Sequence, residues 1–359
     1  MNKKRGFLSK RLALWIMAAL LLVFVVVVVV IRLVFPQHEL LATTGEYAVD
    51  SILYTYTDES RIETYTSTGE PRKVNVEFWY PVNTDSLFPL VIFSHGALGT
   101  RSSNVSLYRE LASNGYVVGA LDHPYQAFWA RDDTGKLTFL NLGYLADLQR
   151  EDAKTDKQQS FEFYQQWMQT RMGDINLVLD TIFEFVDSDM TGVYSLIDTA
   201  NIGVMGHSLG GSAALGIGRQ RDHVHAVIAL EAPFMYDIVG VDNDAFVFID
   251  AIYPTPVLNI YSDDSWENLS EWTQYARNYS LLSDSATTAF TVHISGVGHL
   301  ALTDLALSSP FLVRLFDRTP STRDSTETLY LINGLSLEFF DHFLKNQGEF
   351  TGYQTDYDY

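Results

Sequence analysis

Cysteine is absent from this 359-residue chain. A chain without cysteine can form no disulfide, no metal–thiolate site and no thiol nucleophile. A domain of this kind outside the cytoplasm must therefore depend on its hydrophobic core for stability. Hydrophobic residues make up 47% of the sequence, and a chain of this length can bury a core large enough for that purpose.

Cations are also scarce. The chain has 24 Lys and Arg residues against 44 Asp and Glu residues, which gives a net charge of −20. Residues 1–36 hold six of the cations and no acid, so the remainder carries a net charge of −26. A domain this acidic repels polyanions. We therefore expect no nucleic-acid partner and no electrostatic binding to anionic lipid headgroups.

Charge is missing altogether from residues 12–31, which form a single apolar run. At about 1.5 Å per residue, a helix over this run spans about 30 Å, the thickness of a bilayer's hydrocarbon core. A cleaved signal peptide would usually have a shorter apolar region followed by small residues, and residues 31–36 (IRLVFP) offer no such cleavage site. The run therefore predicts an uncleaved transmembrane signal anchor.

The flanking charges predict the topology. Five cations precede the apolar run and only Arg32 closely follows it. By the positive-inside rule, residues 1–11 form a basic cytoplasmic tail, residues 32–45 a linker, and residues 46–359 an extracytoplasmic domain. The expected location is the cell membrane, crossed once by residues 12–31.

After the linker, short apolar runs alternate with helix-like stretches, which is typical of a mostly parallel sheet covered by helices on both faces. Residues 126–168 interrupt this alternation because they are polar, rich in aromatic residues and weakly periodic, and we interpret them as a lid-like insertion. The predicted strands are 46–57, 72–80, 89–93, 116–121, 201–205, 226–230, 256–261 and 290–294. The predicted helices are 174–185, 212–219 and 326–346.

Residues 206–211 (GHSLGG) stand between a predicted strand and a predicted helix. This is the G-x-S-x-G motif of a nucleophile elbow, a turn so tight that its flanking positions have no room for side chains. Gly206 and Gly210 provide that room. The turn would expose the Ser208 hydroxyl above the sheet, with a helix N-terminus behind it that favours developing negative charge. Ser208 is therefore the predicted nucleophile.

A serine hydroxyl needs a base to remove its proton, and His299 is the best candidate. It lies in a loop after the last predicted strand, and the order nucleophile, acid, histidine is typical of proteins with this elbow. His207 is expected to point away from the site because of its place in the turn. Other histidines lie in the linker, a turn, mid-strand or the closing helix: His38, His223, His225, His293 and His342.

Two acids could orient the histidine. Glu231 ends the strand after the nucleophile, and Asp263 ends the next strand, so both lie at the carboxyl edge of the sheet where sites form. The oxyanion of the reaction needs two N–H donors. The predicted donors are Leu209 N–H, directly after the nucleophile, and Ala97 N–H, in the loop after the strand 89–93.

The chain resembles the platelet-activating-factor acetylhydrolase and plasma lipase-like branch of the α/β-hydrolases. The resemblance covers residues 89–305 and is carried in order by FSHGALGTR, NGYVVGALDHP, RMGDINLVLD, NIGVMGHSLGGSAA, AVIALEAPF and VGHLALTD. It implies an α/β-hydrolase fold and places the acid directly after the strand that follows the nucleophile, which favours Glu231. The family usually has Asp there.

These observations predict a serine hydrolase that cleaves carboxylic esters, with short-acyl lipid or phospholipid esters as the expected substrates. A cutinase-like polyesterase or a general carboxylesterase is the alternative within the same chemistry. A non-catalytic surface binding protein is the alternative from another class, because fold alone does not imply function. Neither a phosphate-binding glycine loop nor a metal-ligand cluster is evident in the sequence, so we predict no cofactor and no metal.

Overall fold

The structure is a computed structural model, and it describes residues 3–188, 191–284 and 288–354. Residues 1–2 of the predicted tail and 355–359 of the predicted domain lie outside these ranges. The first helix, α1 (Lys3–Val34), includes one stretch, Leu14–Val34, that is long and apolar enough to cross a membrane and is not buried against the rest of the chain.

Eight strands form the main sheet, in the spatial order β1-β2-β4-β3-β7-β8-β11-β12. The first two neighbouring pairs, β1 with β2 and β2 with β4, are antiparallel, and all the other pairs are parallel. The sheet strands are β1 (Val49–Ile62), β2 (Pro71–Pro81), β3 (Phe88–Ser94), β4 (Val117–Asp122), β7 (Ile197–His207), β8 (Val224–Leu230), β11 (Val257–Tyr261) and β12 (Ala289–His293). Two separate hairpins pair β5 (Trp129–Arg131) with β6 (Leu137–Phe139) and β9 (Ile238–Asp242) with β10 (Ala245–Phe248).

The helices that follow α1 are mostly placed between the strands. They are α2 (Val105–Ser113), α3 (Leu142–Arg150), α4 (Lys157–Ser188), α5 (Leu209–Gln220), α6 (Asp263–Trp266), α7 (Ala276–Leu281), α8 (Leu305–Ser308), α9 (Pro310–Phe316) and α10 (Ser325–Lys345).

The hydrophobic core has two layers, one on each face of the sheet. Side chains alternate along β3, so that Leu90 and Ile92 pack in the layer with α4 and α5, whereas Val91 and Phe93 pack in the layer with α2 and α10. Each face is thus covered by helices, and the central strands β3, β4, β8 and β11 are mostly apolar because both of their faces are buried. The predicted mostly parallel, doubly covered sheet is confirmed.

The segment that breaks the sequence rhythm has a mixed structure. It contains the β5–β6 hairpin, α3 and the first turns of α4, a helix that begins at Lys157 rather than at the predicted residue 174. The hairpins were not predicted, because strands of three to five residues leave too short a pattern to recognise.

The linker is bound to the domain along much of its length. Leu41 is buried, Ala42 N–H donates to Tyr330 Oη at 3.2 Å, and Thr44 N–H donates to Glu110 at 2.9 Å. These contacts place the segment against α2 and α10.

Candidate active site

Ser208 stands at the tip of the turn from β7 to α5. Its backbone has φ 53° and ψ −125°, a region that residues other than glycine rarely adopt. A Cβ on Gly210 would lie 2.0 Å from the carbonyl oxygen of Ser94, and one on Gly206 would lie 2.4 Å from the Gly210 backbone. Both flanking positions must therefore be glycine for the turn to close as it does.

The loop after β12 brings His299 to the same edge of the sheet. Glu231 Oε1 accepts a hydrogen bond from His299 Nδ1 at 3.0 Å, and Glu231 Oε2 accepts one from Ser262 N–H at 2.8 Å. The His299 side chain is 28% exposed, whereas the Glu231 side chain is only 3% exposed. The carboxylate is thus fixed by two donors in the interior, and the imidazole keeps access to the surface.

Glu231 follows directly after β8 and has φ 50°, the left-handed region that a glutamate seldom occupies. Strain of this kind costs about 1–3 kcal/mol and is found preferentially at functional sites. The nucleophile candidate Ser208 and the acid candidate Glu231 both carry it. The backbone is therefore held in unfavourable conformations at two of the predicted site residues.

Asp263, the alternative acid, has different partners. Its carboxylate accepts from His293 Nε2 at 2.8 Å and from Gly296 N–H at 2.9 Å. The register of β11 with β12 pairs Tyr261 with His293, so the residues that follow β11 meet His293 rather than His299. The geometry favours Glu231 as the residue that orients His299.

Two further acids hold the His299 loop. Asp264 accepts from His299 N–H at 3.2 Å, and Asp317 accepts from Leu300 N–H at 2.7 Å. Burial lowers the pKa of His299, but the charge and hydrogen bond of Glu231, with smaller contributions from Asp317 and Asp264, outweigh burial and raise that pKa above its ordinary value. The surrounding acids thus stabilise the protonated imidazole.

The expectation that His207 points away from the site is wrong. Its ring is buried and lies 4.4 Å from the His299 ring between centroids, and its Nε2 is 3.0 Å from the carbonyl oxygen of His299. Burial and the neighbouring His299 hold the pKa of His207 well below its ordinary value, so the ring is neutral and Nε2–H donates to that carbonyl. The last residue of β7 thus supports the His299 loop from below.

The predicted oxyanion loop, residues 95–99 directly after β3, lies against the elbow. A Cβ on Gly96 would lie 2.8 Å from Nδ1 of the buried His207 ring and 3.3 Å from Ser208 Cβ, so glycine lets the loop approach the elbow this closely. The next peptide N–H, of Ala97, has no acceptor within the described part of the chain. Leu209 begins α5, and the first N–H groups of a helix have no partner within the helix. Leu209 follows Ser208 directly, and Gly96, the residue before Ala97, lies against Ser208. The role of the two N–H groups as oxyanion donors stays a prediction.

The pattern of the family described as platelet-activating factor acetylhydrolase, isoform II, matches residues 33–358. The chain belongs to this family. The resemblance inferred from the motifs is therefore confirmed.

Similar relatives of the family are the platelet-activating factor acetylhydrolases of Gallus gallus and Cavia porcellus. The first is 23% identical over 304 residues, covering 78% of this chain and 67% of that protein. The second is 23% identical over 291 residues, covering 76% of this chain and 61% of that protein. The matched part of this chain thus spans about two thirds or less of the length of these acetylhydrolases.

Among solved structures, a ferulic acid esterase from Streptomyces cinnamoneus superposes with a TM-score of 0.66. The match covers 87% of this chain and 94% of the esterase at 19% sequence identity. At this identity the likeness concerns the fold, and it confirms the predicted α/β-hydrolase fold.

Residues 126–168, interpreted from the sequence as a lid-like insertion, contact the predicted oxyanion loop. Ala127 bridges to Leu98 of the oxyanion loop, and Phe128 N–H donates to Gly99 O at 3.3 Å. The aromatic residues of the insertion divide into two groups. Phe128, Trp129 and Phe139 are exposed near the hairpin, whereas another group packs in the core, namely Tyr144, Phe163, Tyr164 and Trp167.

Four buried polar residues beneath the oxyanion loop were not identified as site residues from the sequence. They are His95, His123, Arg171 and Asp174, each with no exposed surface. All four lie in motifs that carry the family resemblance, which was the available signal. No group of three potential ligands is placed to hold a metal ion among residues 3–188, 191–284 and 288–354.

Proposed function

We propose that this chain is a serine hydrolase that cleaves carboxylic esters through an acyl-enzyme on Ser208. The observation that carries the proposal is the 3.0 Å hydrogen bond between Glu231 and His299 Nδ1, at the sheet edge where Ser208 stands on a strained elbow. An acid, an imidazole and a serine in this order and fold are the parts that ester hydrolysis needs.

In the proposed acylation, Ser208 Oγ attacks the ester carbonyl carbon and His299 Nε2 takes the hydroxyl proton. The tetrahedral oxyanion accepts hydrogen bonds from Ala97 N–H and Leu209 N–H, for which the described residues offer no competing acceptor. As the carbonyl re-forms, the alcohol leaves with the proton from His299. Glu231 holds the imidazole tautomer and stabilises the imidazolium while it carries that proton.

In the proposed deacylation, a water molecule attacks the acyl-enzyme carbonyl and gives a proton to His299. The second tetrahedral intermediate uses the same two N–H donors. Its collapse releases the carboxylic acid and returns the proton to Ser208 Oγ, so the site is restored. No step requires a metal or an organic cofactor.

The substrate class that we favour is short-acyl lipid or phospholipid esters. The named acetylhydrolases of the family support this choice, as does the exposed apolar surface formed by Phe128, Trp129 and Phe139 next to the oxyanion loop. A polyesterase or general carboxylesterase would use the same machinery on a soluble or polymeric ester. Profiling acyl chain length on a panel of p-nitrophenyl esters and acetylated phospholipids separates these alternatives.

We also propose that residues 12–31 anchor the protein in the cell membrane with the hydrolase domain outside. The span Leu14–Val34 has a mean hydropathy of 3.4, and its end is in contact with the domain, because Ser309 Oγ donates to Val34 O at 2.5 Å. The end of the apolar span thus lies against the domain. An ester in the adjacent leaflet would be within easy reach of such a domain.

The test uses the full chain in detergent micelles. A fluorophosphonate should label the wild type and not Ser208→Ala, and p-nitrophenyl acetate hydrolysis should fall by several powers of ten in that variant. Both proteins should show the same thermal unfolding and circular dichroism. A well-folded Ser208→Ala protein with full activity would refute the mechanism. Absence of labelling and hydrolysis in the wild type would instead favour the binding-protein alternative.

A further inference from the structure

The oxyanion loop packs on a buried, charged hydrogen-bond network. The proposed roles of Ser208, His299 and Glu231 do not explain this network. Arg171, from α4, has no exposed surface, and within the described residues it forms no ion pair. Its guanidinium instead donates to three neutral acceptors: Gln126 Oε1 at 2.8 Å, the carbonyl of His95, and Gly96 O at 3.4 Å. Burying a cation without a counterion costs desolvation free energy, so a functional role would explain why Arg171 lies under this loop.

The His95 side chain binds the Gly96 carbonyl from another direction. Its Nε2 accepts from His123 N–H at 3.2 Å, which requires the proton to be on Nδ1. That Nδ1–H then donates to Gly96 O at 2.7 Å. Burial, with the nearby charge of Arg171, keeps the pKa of His95 well below its ordinary value, so this neutral tautomer persists.

His123 connects this loop to a buried acid. Its Nδ1 lies 2.9 Å from Asp174 Oδ2 and its Nε2 lies 2.8 Å from Ser94 Oγ, so Nδ1–H donates to the carboxylate and Ser94 donates to Nε2. Burial alone would raise the pKa of Asp174, but Arg72 and His123 hold it well below its ordinary value. The orientation of the His123 ring is thus fixed by a carboxylate that stays ionised, and the His123 N–H in turn holds the His95 ring.

The consequence for the site follows from peptide geometry. In a planar trans peptide, the C=O of Gly96 and the N–H of Ala97 point in opposite directions. Two donors, Arg171 and His95, hold the Gly96 oxygen, so they also fix the direction of the Ala97 N–H. A cation at the carbonyl end polarises the peptide and makes its N–H a stronger donor.

We propose that Arg171 is a positioning residue of the oxyanion hole, which acts together with His95 by clamping the Gly96 carbonyl so that Ala97 N–H stays directed at the developing oxyanion. This inference rests on the proposed function, because it assigns Ala97 to that function's transition state. It adds a residue from α4 that does not itself touch the substrate. The positive charge of Arg171 would reach the oxyanion through one peptide group.

The first test compares Arg171→Lys with the wild type in the full chain. Lysine keeps the charge but cannot donate to Gln126, His95 and Gly96 together. Loss of one oxyanion donor typically lowers kcat by about 100- to 1,000-fold. Because the donor is misdirected rather than removed, we expect kcat for p-nitrophenyl acetate to fall by about 10- to 100-fold, with KM within about twofold.

A readout specific to the oxyanion is the inhibition constant of a trifluoromethyl ketone, which forms a tetrahedral adduct with serine. It should rise in parallel with the fall in kcat, since the adduct and the transition state use the same donor. The matched control is Arg219→Lys, because Arg219 is a mostly buried arginine remote from this loop that pairs with Asp237 at 2.7 and 2.6 Å. That variant should change stability without changing kcat per titrated site.

The pair His95→Asn and His95→Leu tests the clamp independently and decides the question if Arg171→Lys fails to fold. Asparagine retains an N–H donor close to the position of Nδ1, and leucine has none. We expect leucine to lower kcat by about 10- to 100-fold and asparagine to recover most of that loss. A folded Arg171→Lys variant with kcat and the inhibition constant within twofold of the wild type would overturn the proposal. If Arg171→Lys does not fold, a folded His95→Leu variant with the same values would overturn it.

The proposed function fails separately, through absence of fluorophosphonate labelling or hydrolysis in the wild type. If the wild type is labelled but hydrolyses no ester in the panel, the rate of labelling replaces kcat in the same comparison. Each result therefore supports or contradicts the role of Arg171 by itself.

Discussion

Replacing Glu231 by Gln tests the geometry of the acid most directly. Both carboxylate oxygens accept hydrogen bonds, Oε1 from His299 Nδ1 at 3.0 Å and Oε2 from Ser262 N–H at 2.8 Å. A glutamine amide can accept only with its oxygen. Whichever way it is turned, its NH2 group faces a donor, so one of the two hydrogen bonds is lost in a site that is almost fully buried.

The expected loss is large. When an amide replaces the triad carboxylate, the histidine adopts the wrong tautomer and kcat falls by about 10⁴-fold. At about 1.4 kcal/mol per factor of ten, that corresponds to about 5–6 kcal/mol of transition-state stabilisation. We expect Glu231→Gln to lower kcat by about 10³- to 10⁴-fold with little change in KM, because the interaction strengthens only as the imidazolium forms.

The pH profile gives a second measure with a definite sign. The acidic limb of kcat/KM reports deprotonation of the base, and Glu231 is the principal group that raises the pKa of His299. Removing its charge must lower that pKa. The residual activity of Glu231→Gln should therefore extend to lower pH than that of the wild type.

Asp263→Asn is the matched control, since Asp263 binds His293 and Gly296. We expect it to keep kcat within about threefold, as for other substitutions that do not touch the reacting groups. The assay is p-nitrophenyl acetate hydrolysis by both variants, normalised to folded protein. The reasoning would be refuted if Glu231→Gln kept more than a tenth of the wild-type kcat, or if Asp263→Asn lost as much.

Three further predictions concern the surroundings of the site. Burial raises the pKa of Asp317 to about 6, so its ionisation weakens the folded state as pH rises from about 4 to 6. Asp317→Asn should therefore raise the melting temperature at pH 8 but not at pH 4, and a larger gain at pH 4 would contradict this reasoning. Because Asp317 helps to raise the pKa of His299, the same substitution should also lower that pKa. Trp129 is 37% exposed and Trp167 only 3%. Trp129→Ala should therefore change acyl preference, whereas Trp167→Ala should lower the free energy of unfolding by about 3–5 kcal/mol. An unaltered acyl preference in a stable Trp129→Ala protein would show that residues 126–168 do not act as a lid. Protease added to intact cells should digest the domain after Leu14–Val34, and protection until lysis would reverse the topology.

The sequence by itself determined the features that depend on neighbouring residues. The elbow around Ser208 is local, because two glycines and the strand and helix beside them dictate a single turn. The apolar strands were predicted to within a few residues because burial on both faces leaves a continuous hydrophobic run. The membrane-length helix likewise follows from length and hydropathy, although its bounds in the structure are wider than the apolar run.

Only the tertiary structure could separate Glu231 from Asp263. Both end parallel strands at the same edge, so the local pattern does not separate them, and only the family resemblance favoured Glu231. The register of β11 with β12 sets Asp263 beside His293 and leaves Glu231 to the loop that carries His299. Register depends on the pairing of distant strands, which the local pattern does not encode.

The contacts of the residues that the sequence did not identify were also decided only by the tertiary structure. His207 contacts His299, and Arg171 contacts His95 and Gly96, across separations of 92, 76 and 75 residues. A polar residue in an apolar sequence context predicts burial but not its partner. The Arg171 guanidinium reaches the carbonyls of His95 and Gly96 only because α4 packs beneath the sheet edge. That packing depends on the whole fold.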